Sequence, residues 1–181
     1  MKEPRNSHSK LKALIKNIDR SGPIKIGLSR RRVEFQKNEM VLYKYENTGA
    51  TKNNRPILIV YSLVNRPEIA DLSSDRSLIK VLCDLGFPVY LIDWGDPGDN
   101  DEEVELSTYI IDYLGSAVDY IRGVSQKVAI DVIGLCQGGT FAVCYASLFP
   151  EKISCCADVA ILAMRIMKTM AGNKFLPYST A

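Results

Sequence analysis

The sequence predicts an α/β protein built on a doubly wound, mostly parallel sheet, and three observations predict it. Nearly unbroken apolar runs recur at 57–64, 88–94 and 128–133. Such runs suit strands buried on both faces better than strands with one wet face. Each run is followed by a stretch of helical period, at 73–85, 106–122 and 137–149. Strands alternating with helices in this way pair in parallel through right-handed crossovers. Chemistry in these sheets sits beyond the carboxyl ends of the strands, which directs attention to the loops 64–71, 94–105 and 134–139.

Taken in order, residues 8–20 read as a basic helix with Leu11, Leu14, Ile15 and Ile18 on one face, stopped by Ser21-Gly22-Pro23. Residues 33–35 and 41–45 read as strands, and the Asn- and Lys-rich stretch 47–55 as a loop. The first apolar run and the helix at 73–85, ended by Gly86, come next. The run closing on Asp93 and Trp94 leads into an acidic loop from Asp96 to Glu105. The helix at 106–122 sets Tyr109, Tyr113 and Tyr120 near Ile110, Leu114 and Ile121. After the third run comes the helix at 137–149, ended by Pro150. The domain reading is a basic arm at 1–32, a core at 33–153 and a divergent tail at 154–181.

Composition narrows the function. Of 181 residues, 46% are hydrophobic and 24% charged, with a formal net charge of +2. These values exclude a disordered chain and argue against a nucleic-acid binder. Residues 1–37 hold 11 basic and 3 acidic groups, which reads as a solvated arm. The first twenty residues have no apolar run of a secretory leader, and Asp158, Arg165 and Lys168 interrupt the apolar stretch 153–170, so no membrane span is expected. Five cysteines without a leader read as reduced thiols in a cytoplasmic protein. No pair has C-x-x-C spacing and His8 is the sole histidine, so no metal site is expected. Cys83 and Cys144 read as core residues, and the pair Cys155-Cys156 as part of a buried strand or helix.

The informative loop is Gly134-Leu135-Cys136-Gln137-Gly138-Gly139, between the third run and its helix. It has the form of a nucleophile elbow with Cys in the nucleophile position. A sharp strand-to-helix turn exposes that side chain, Gly134 and Gly138 let backbones pass closely, and the positive helix end favours negative charge there. The Gln137 N–H points to where an oxyanion would form. A dinucleotide loop is excluded, because G-x-G-x-x-G is absent.

Further stretches extend the pattern: Pro56 through Val64-Asn65-Arg66-Pro67, Asp71-Leu72 with Asp75-Arg76-Ser77-Leu78, Val89 through Asp93-Trp94-Gly95, and the elbow running on through Thr140-Phe141 to Cys144-Tyr145-Ala146 and Pro150. Over residues 35–153 the sequence resembles the poly(3-hydroxyalkanoate) synthases, specifically the PhaC catalytic subunit of the two-subunit, short-chain type. The resemblance implies the N-terminal part of an α/β-hydrolase fold, with later strands and lid missing. It implies an acyltransferase that polymerises (R)-3-hydroxyacyl-CoA and releases CoA, with no cofactor, since the CoA thioester is substrate. Cys136 would carry the growing polyester chain, a role that suits the intrinsic nucleophilicity of a thiolate. Gln137 N–H would supply one oxyanion donor and a backbone N–H near Val64 or Asn65 the second. A second synthase subunit, a homodimer and association with polyester granules are implied in the same way. Trp94 reads as packing. For Asn65 and Arg66 two readings stay open: site residues, or a loop-fixing amide and a surface cation.

The family mechanism needs a His base and an Asp after the elbow. No histidine follows Cys136, and Asp158, the one aspartate there, lies too early for that acid. The sequence therefore reads as a truncated synthase with little or no activity alone. Two alternatives stay open: a non-catalytic remnant that binds a partner subunit or granule, and a Cys-elbow thioesterase.

Overall fold

The computed structural model describes residues 27, 29–47, 54–95 and 104–159. The basic helix expected at 8–20 and most of the tail at 154–181 lie outside them. Six strands form one sheet: β1 (Arg31–Lys37), β2 (Met40–Tyr45), β3 (Ile57–Val60), β6 (Val89–Asp93), β7 (Ile130–Gly134) and β8 (Ile153–Asp158). Their spatial order is β1-β2-β6-β3-β7-β8. β1 and β2 form a hairpin turning at Asn38, whose φ of 52° suits an asparagine. β2 runs antiparallel to β6, and β6, β3, β7 and β8 run parallel to one another. The mostly parallel α/β sheet expected from the apolar runs is present.

β3 lies between β6 and β7, and all four of its residues are buried. Each such Ile, Leu or Val contributes about 1.5–3 kcal/mol relative to an exposed position. The parallel register pairs Val60 with Gly134 and Gly134 with Asp158, so the carboxyl ends of these strands lie level with one another. Among the described residues three α-helices accompany the sheet: α1 (Leu78–Asp84), α2 (Leu114–Ser125) and α3 (Gln137–Leu148). A π-helical segment, Thr108–Tyr113, runs directly into α2. α2 ends at Gln126 in the left-handed conformation, with φ 54°.

Three expectations need correction. The helix expected at 73–85 begins only at Leu78, because the chain first forms a small hairpin of β4 (Asp71–Ser73) and β5 (Arg76–Ser77). Asp71 is buried there and accepts the Ser29 N–H at 2.8 Å. The Ser77 hydroxyl accepts the Lys80 N–H at 2.9 Å and so sets the true start of α1. Cys144 is exposed rather than in the core, because Phe141, Ala142 and Tyr145 form the buried stripe of α3. Cys155 is exposed and Cys156 half-buried on β8, which pairs with β7 alone among the described strands. Cys83, in contrast, is buried in the core as expected.

Candidate active site

The site is built at the end of β7. Leu135 N–H donates to the Val60 carbonyl at 2.8 Å, tying the turn to the central strand. The chain then reverses at Cys136, with φ 56° and ψ −126°, and enters α3 at Gln137. That conformation is nearly reserved for glycine, and holding a side chain in it costs of order 1–3 kcal/mol. It leaves Cys136 exposed at the start of a twelve-residue helix.

Close packing enforces the turn. A Cβ on Gly134 would lie 2.2 Å from Gly139 Cα, and one on Gly138 would lie 2.2 Å from the Val60 carbonyl oxygen. Both elbow glycines read from the sequence thus sit where backbones cross. Gly139 is a third, which the five-residue pattern does not single out: a Cβ there would lie 2.3 Å from the Asp158 carboxylate. Asp158, at the end of β8, therefore packs beside the elbow helix.

The loop after β3 faces the elbow and is fastened at its base. Trp94 donates its indole N–H to the Tyr61 carbonyl at 2.8 Å, and Tyr61 donates its hydroxyl to Asp93 Oδ1 at 2.8 Å. Burial, then the hydrogen bond to the Asp93 carboxylate, push the Tyr61 phenol far above its usual range and keep it protonated. Trp94 itself is buried edge-on against Tyr109 and Phe141, with ring centroids 5.6 and 6.0 Å apart, so it packs as expected. Further along, the Asn65 amide donates to Ser62 Oγ at 2.7 Å and the Asn65 N–H to the Ser62 carbonyl at 3.1 Å. The Leu63 N–H donates to Gln137 Oε1 at 3.2 Å. Of the two expected positions, the Asn65 N–H is spent within its own turn. The Val64 N–H has no partner among the described residues. Arg66 is exposed and lines a cavity of about 190 Å³ with Arg31, Tyr61, Asn65 and Asp93.

An exposed thiol beside backbone donors can attack an acyl carbon. Among the described residues no group of three His, Cys, Asp or Glu could hold a metal ion. His8 lies outside the described residues.

The cysteines offer a direct check on this geometry. Burial pushes the Cys83 thiol up to about 11, whereas Cys136, Cys144 and Cys155 are exposed. Iodoacetamide labelling of the native chain at pH 8, read by peptide mass spectrometry, is expected to modify those three and spare Cys83 until the chain is denatured.

A mostly parallel sheet with a positive-φ strand-to-helix turn after its fifth main-sheet strand in sequence is the arrangement of an α/β-hydrolase. The alpha/beta hydrolase fold family matches residues 55–178, and the chain belongs to that family. Within it, the chain is related to the poly(3-hydroxyalkanoate) polymerase subunits PhaC. It is 44% identical over 130 residues to PhaC of Synechocystis sp., covering 72% of this chain and 34% of that protein. It is 43% identical over 130 residues to PhaC of Haloferax mediterranei, covering 72% and 26%. For PhaC of Thiocystis violacea the identity is 41% over 146 residues, covering 80% and 41%. The matched stretch thus spans about a quarter to two fifths of these relatives. Solved structures show the same fold: the Francisella virulence factor BioJ (TM-score 0.53, 16% identity, 82% of this chain and 47% of that one) and epoxide hydrolase A of Mycobacterium thermoresistibile (0.51, 15%, 83% and 47%). No helix among the described residues is long and apolar enough to cross a membrane.

Proposed function

We propose that the chain carries the nucleophile of a poly(3-hydroxyalkanoate) polymerase, and that Cys136 bears the growing polyester. The observation carrying this reading is Cys136, held exposed at φ 56° on the elbow of a chain whose relatives are named PhaC. The Cys136 sulfur, as its thiolate, attacks the thioester carbonyl of (R)-3-hydroxyacyl-CoA. The carbonyl oxygen takes up negative charge facing the N–H groups of Gln137 and Val64. The carbon–sulfur bond to CoA then breaks, CoA leaves as its thiolate, and the acyl group remains on Cys136. Exchange between two thioesters is nearly balanced in energy, so the barrier rather than the equilibrium governs the step.

Activation of the thiol and of the incoming hydroxyl calls for a base and an acid, and the described residues place no imidazole at Cys136. Turnover by the 181-residue chain alone is accordingly slow. The second synthase subunit, a homodimer and residence on granules in the cytoplasm belong to the same proposal. Purified chain incubated with (R)-3-hydroxybutyryl-CoA is expected to release about one CoA per chain in a slow burst. That burst is expected to vanish in Cys136→Ala, with the product being protein-bound or oligomeric ester. Release that persists in Cys136→Ala would overturn the assignment, and free hydroxy acid as the sole product would favour a thioesterase.

A further inference from the structure

We infer that the side chain of Gln137, and not only its backbone, serves acyl transfer, by clasping the loop after β3 so that the Val64 N–H faces the carbonyl oxygen on Cys136. This rests on the reading of Cys136 as an acyl-transfer nucleophile. Gln137 is thereby a positioning residue acting through Leu63 and Val64.

The backbone donors of the loop carry the argument. The Asn65 N–H is closed onto the Ser62 carbonyl at 3.1 Å, and the Leu63 N–H meets Gln137 Oε1 at 3.2 Å across 74 residues of sequence. Between them the Val64 N–H is left without a partner among the described residues. Val64 is 88% exposed, so its own side chain does not hold it in place, while Leu63 before it packs partly against the core. The base is secured at Tyr61 by Trp94 and Asp93, yet the tip meets the elbow through the glutamine. The contact makes both donors one unit: Gln137 offers its N–H beside Cys136, while its side chain fixes the loop that carries the other. A misplacement of about 1 Å in such a donor costs on the order of 100-fold in rate.

The chemistry of the amide fits the task. A backbone N–H can donate only to its oxygen, and a neutral acceptor adds no negative charge beside a developing oxyanion. Leucine would supply no acceptor. Glutamate would hold Leu63 but place a charge where the transition state gathers its own.

The test compares two reactions of the same thiol. Acylation of Cys136 by p-nitrophenyl acetate, with release of p-nitrophenolate, passes through an oxyanion, whereas alkylation by iodoacetamide does not. Both are followed on the Cys136 peptide by mass spectrometry, in the full chain. Gln137→Leu is expected to slow acylation roughly 10- to 100-fold while alkylation stays within about twofold. In the same variant the Leu63 amide, followed by hydrogen exchange in NMR spectra, should lose protection. Gln137→Glu should keep Leu63 protected and still acylate slowly. Parallel falls in acylation and alkylation would overturn the inference, as would unchanged Leu63 exchange in Gln137→Leu. Should that variant fail to fold, a wild-type Leu63 amide exchanging as fast as that of Val64 would do the same, and a protected one would support the clasp. A wild-type Cys136 acylated no faster than the exposed Cys144 also contradicts it. The activated ester separates this inference from the polymerase reading: a chain acylated by the ester but never by (R)-3-hydroxybutyryl-CoA keeps the clasp and loses the polymerase.

Discussion

Cys136→Gly is expected to make the protein more stable, by about 1–2 kcal/mol, while abolishing acyl transfer. The stabilisation follows from the backbone. Cys136 sits at φ 56° and ψ −126°, where a Cβ costs of order 1–3 kcal/mol and glycine is at ease. Against this, glycine loses about 0.4–1 kcal/mol through the larger freedom of the unfolded chain. Little else is lost, since the side chain is exposed and makes no core contact. Urea unfolding of the two chains measures the difference. A variant less stable than wild type would show that the turn is not strained as described. Exposed, ordinary residues gain nothing from glycine, so a gain here marks a position whose conformation serves chemistry.

Gly138→Ala is expected to have the opposite effect and to cost about 3 kcal/mol or more. The added methyl would lie 2.2 Å from the Val60 carbonyl oxygen, 2.6 Å from its carbon and 2.8 Å from Tyr61 Cα. All three are backbone atoms of the central strand or its continuation, so no side chain can swing aside. Relief requires α3 to move off the sheet, breaking the Leu135 N–H bond to Val60 and separating Cys136 from the loop that faces it. Gly123→Ala provides the contrast: its methyl meets nothing within 4 Å on α2, and alanine there should add about 0.5–1 kcal/mol. Chemical denaturation of both variants, together with Cys136 acylation of the first, gives the comparison. Wild-type stability in Gly138→Ala would refute the tight elbow.

Local patterns were legible in the sequence and distant pairings were not. The runs at 57–64, 88–94 and 128–133 announce central strands because a strand buried on both faces tolerates no polar alternation. The elbow is readable because its glycines flank Cys136 within five residues, and the packing of Gly134 and Gly138 explains both. The hairpin at Asp71–Ser77 was hidden because its anchor, the Ser29 N–H on the Asp71 carboxylate, spans 42 residues. Cys144 reads as core because Phe141, Ala142, Val143, Cys144 and Tyr145 form an unbroken hydrophobic run, and only the sheet decides which stripe of α3 is covered. The same holds for Gln137 and Leu63, whose meeting depends on β3 and β7 lying side by side. Gly139 earns its place from Asp158 on β8, a contact that no motif encodes.

On the proposed function, Cys136 accepts the acyl group of a hydroxyacyl-CoA. The most direct measurement is peptide-mapped mass spectrometry of the chain after exposure to (R)-3-hydroxybutyryl-CoA, with circular dichroism establishing that it is folded. A hydroxybutyryl thioester is expected on the Cys136 peptide, formed ahead of any on Cys144 or Cys155 and removed by hydroxylamine. A folded chain that bears no adduct at Cys136, or bears it equally on Cys144, would contradict it.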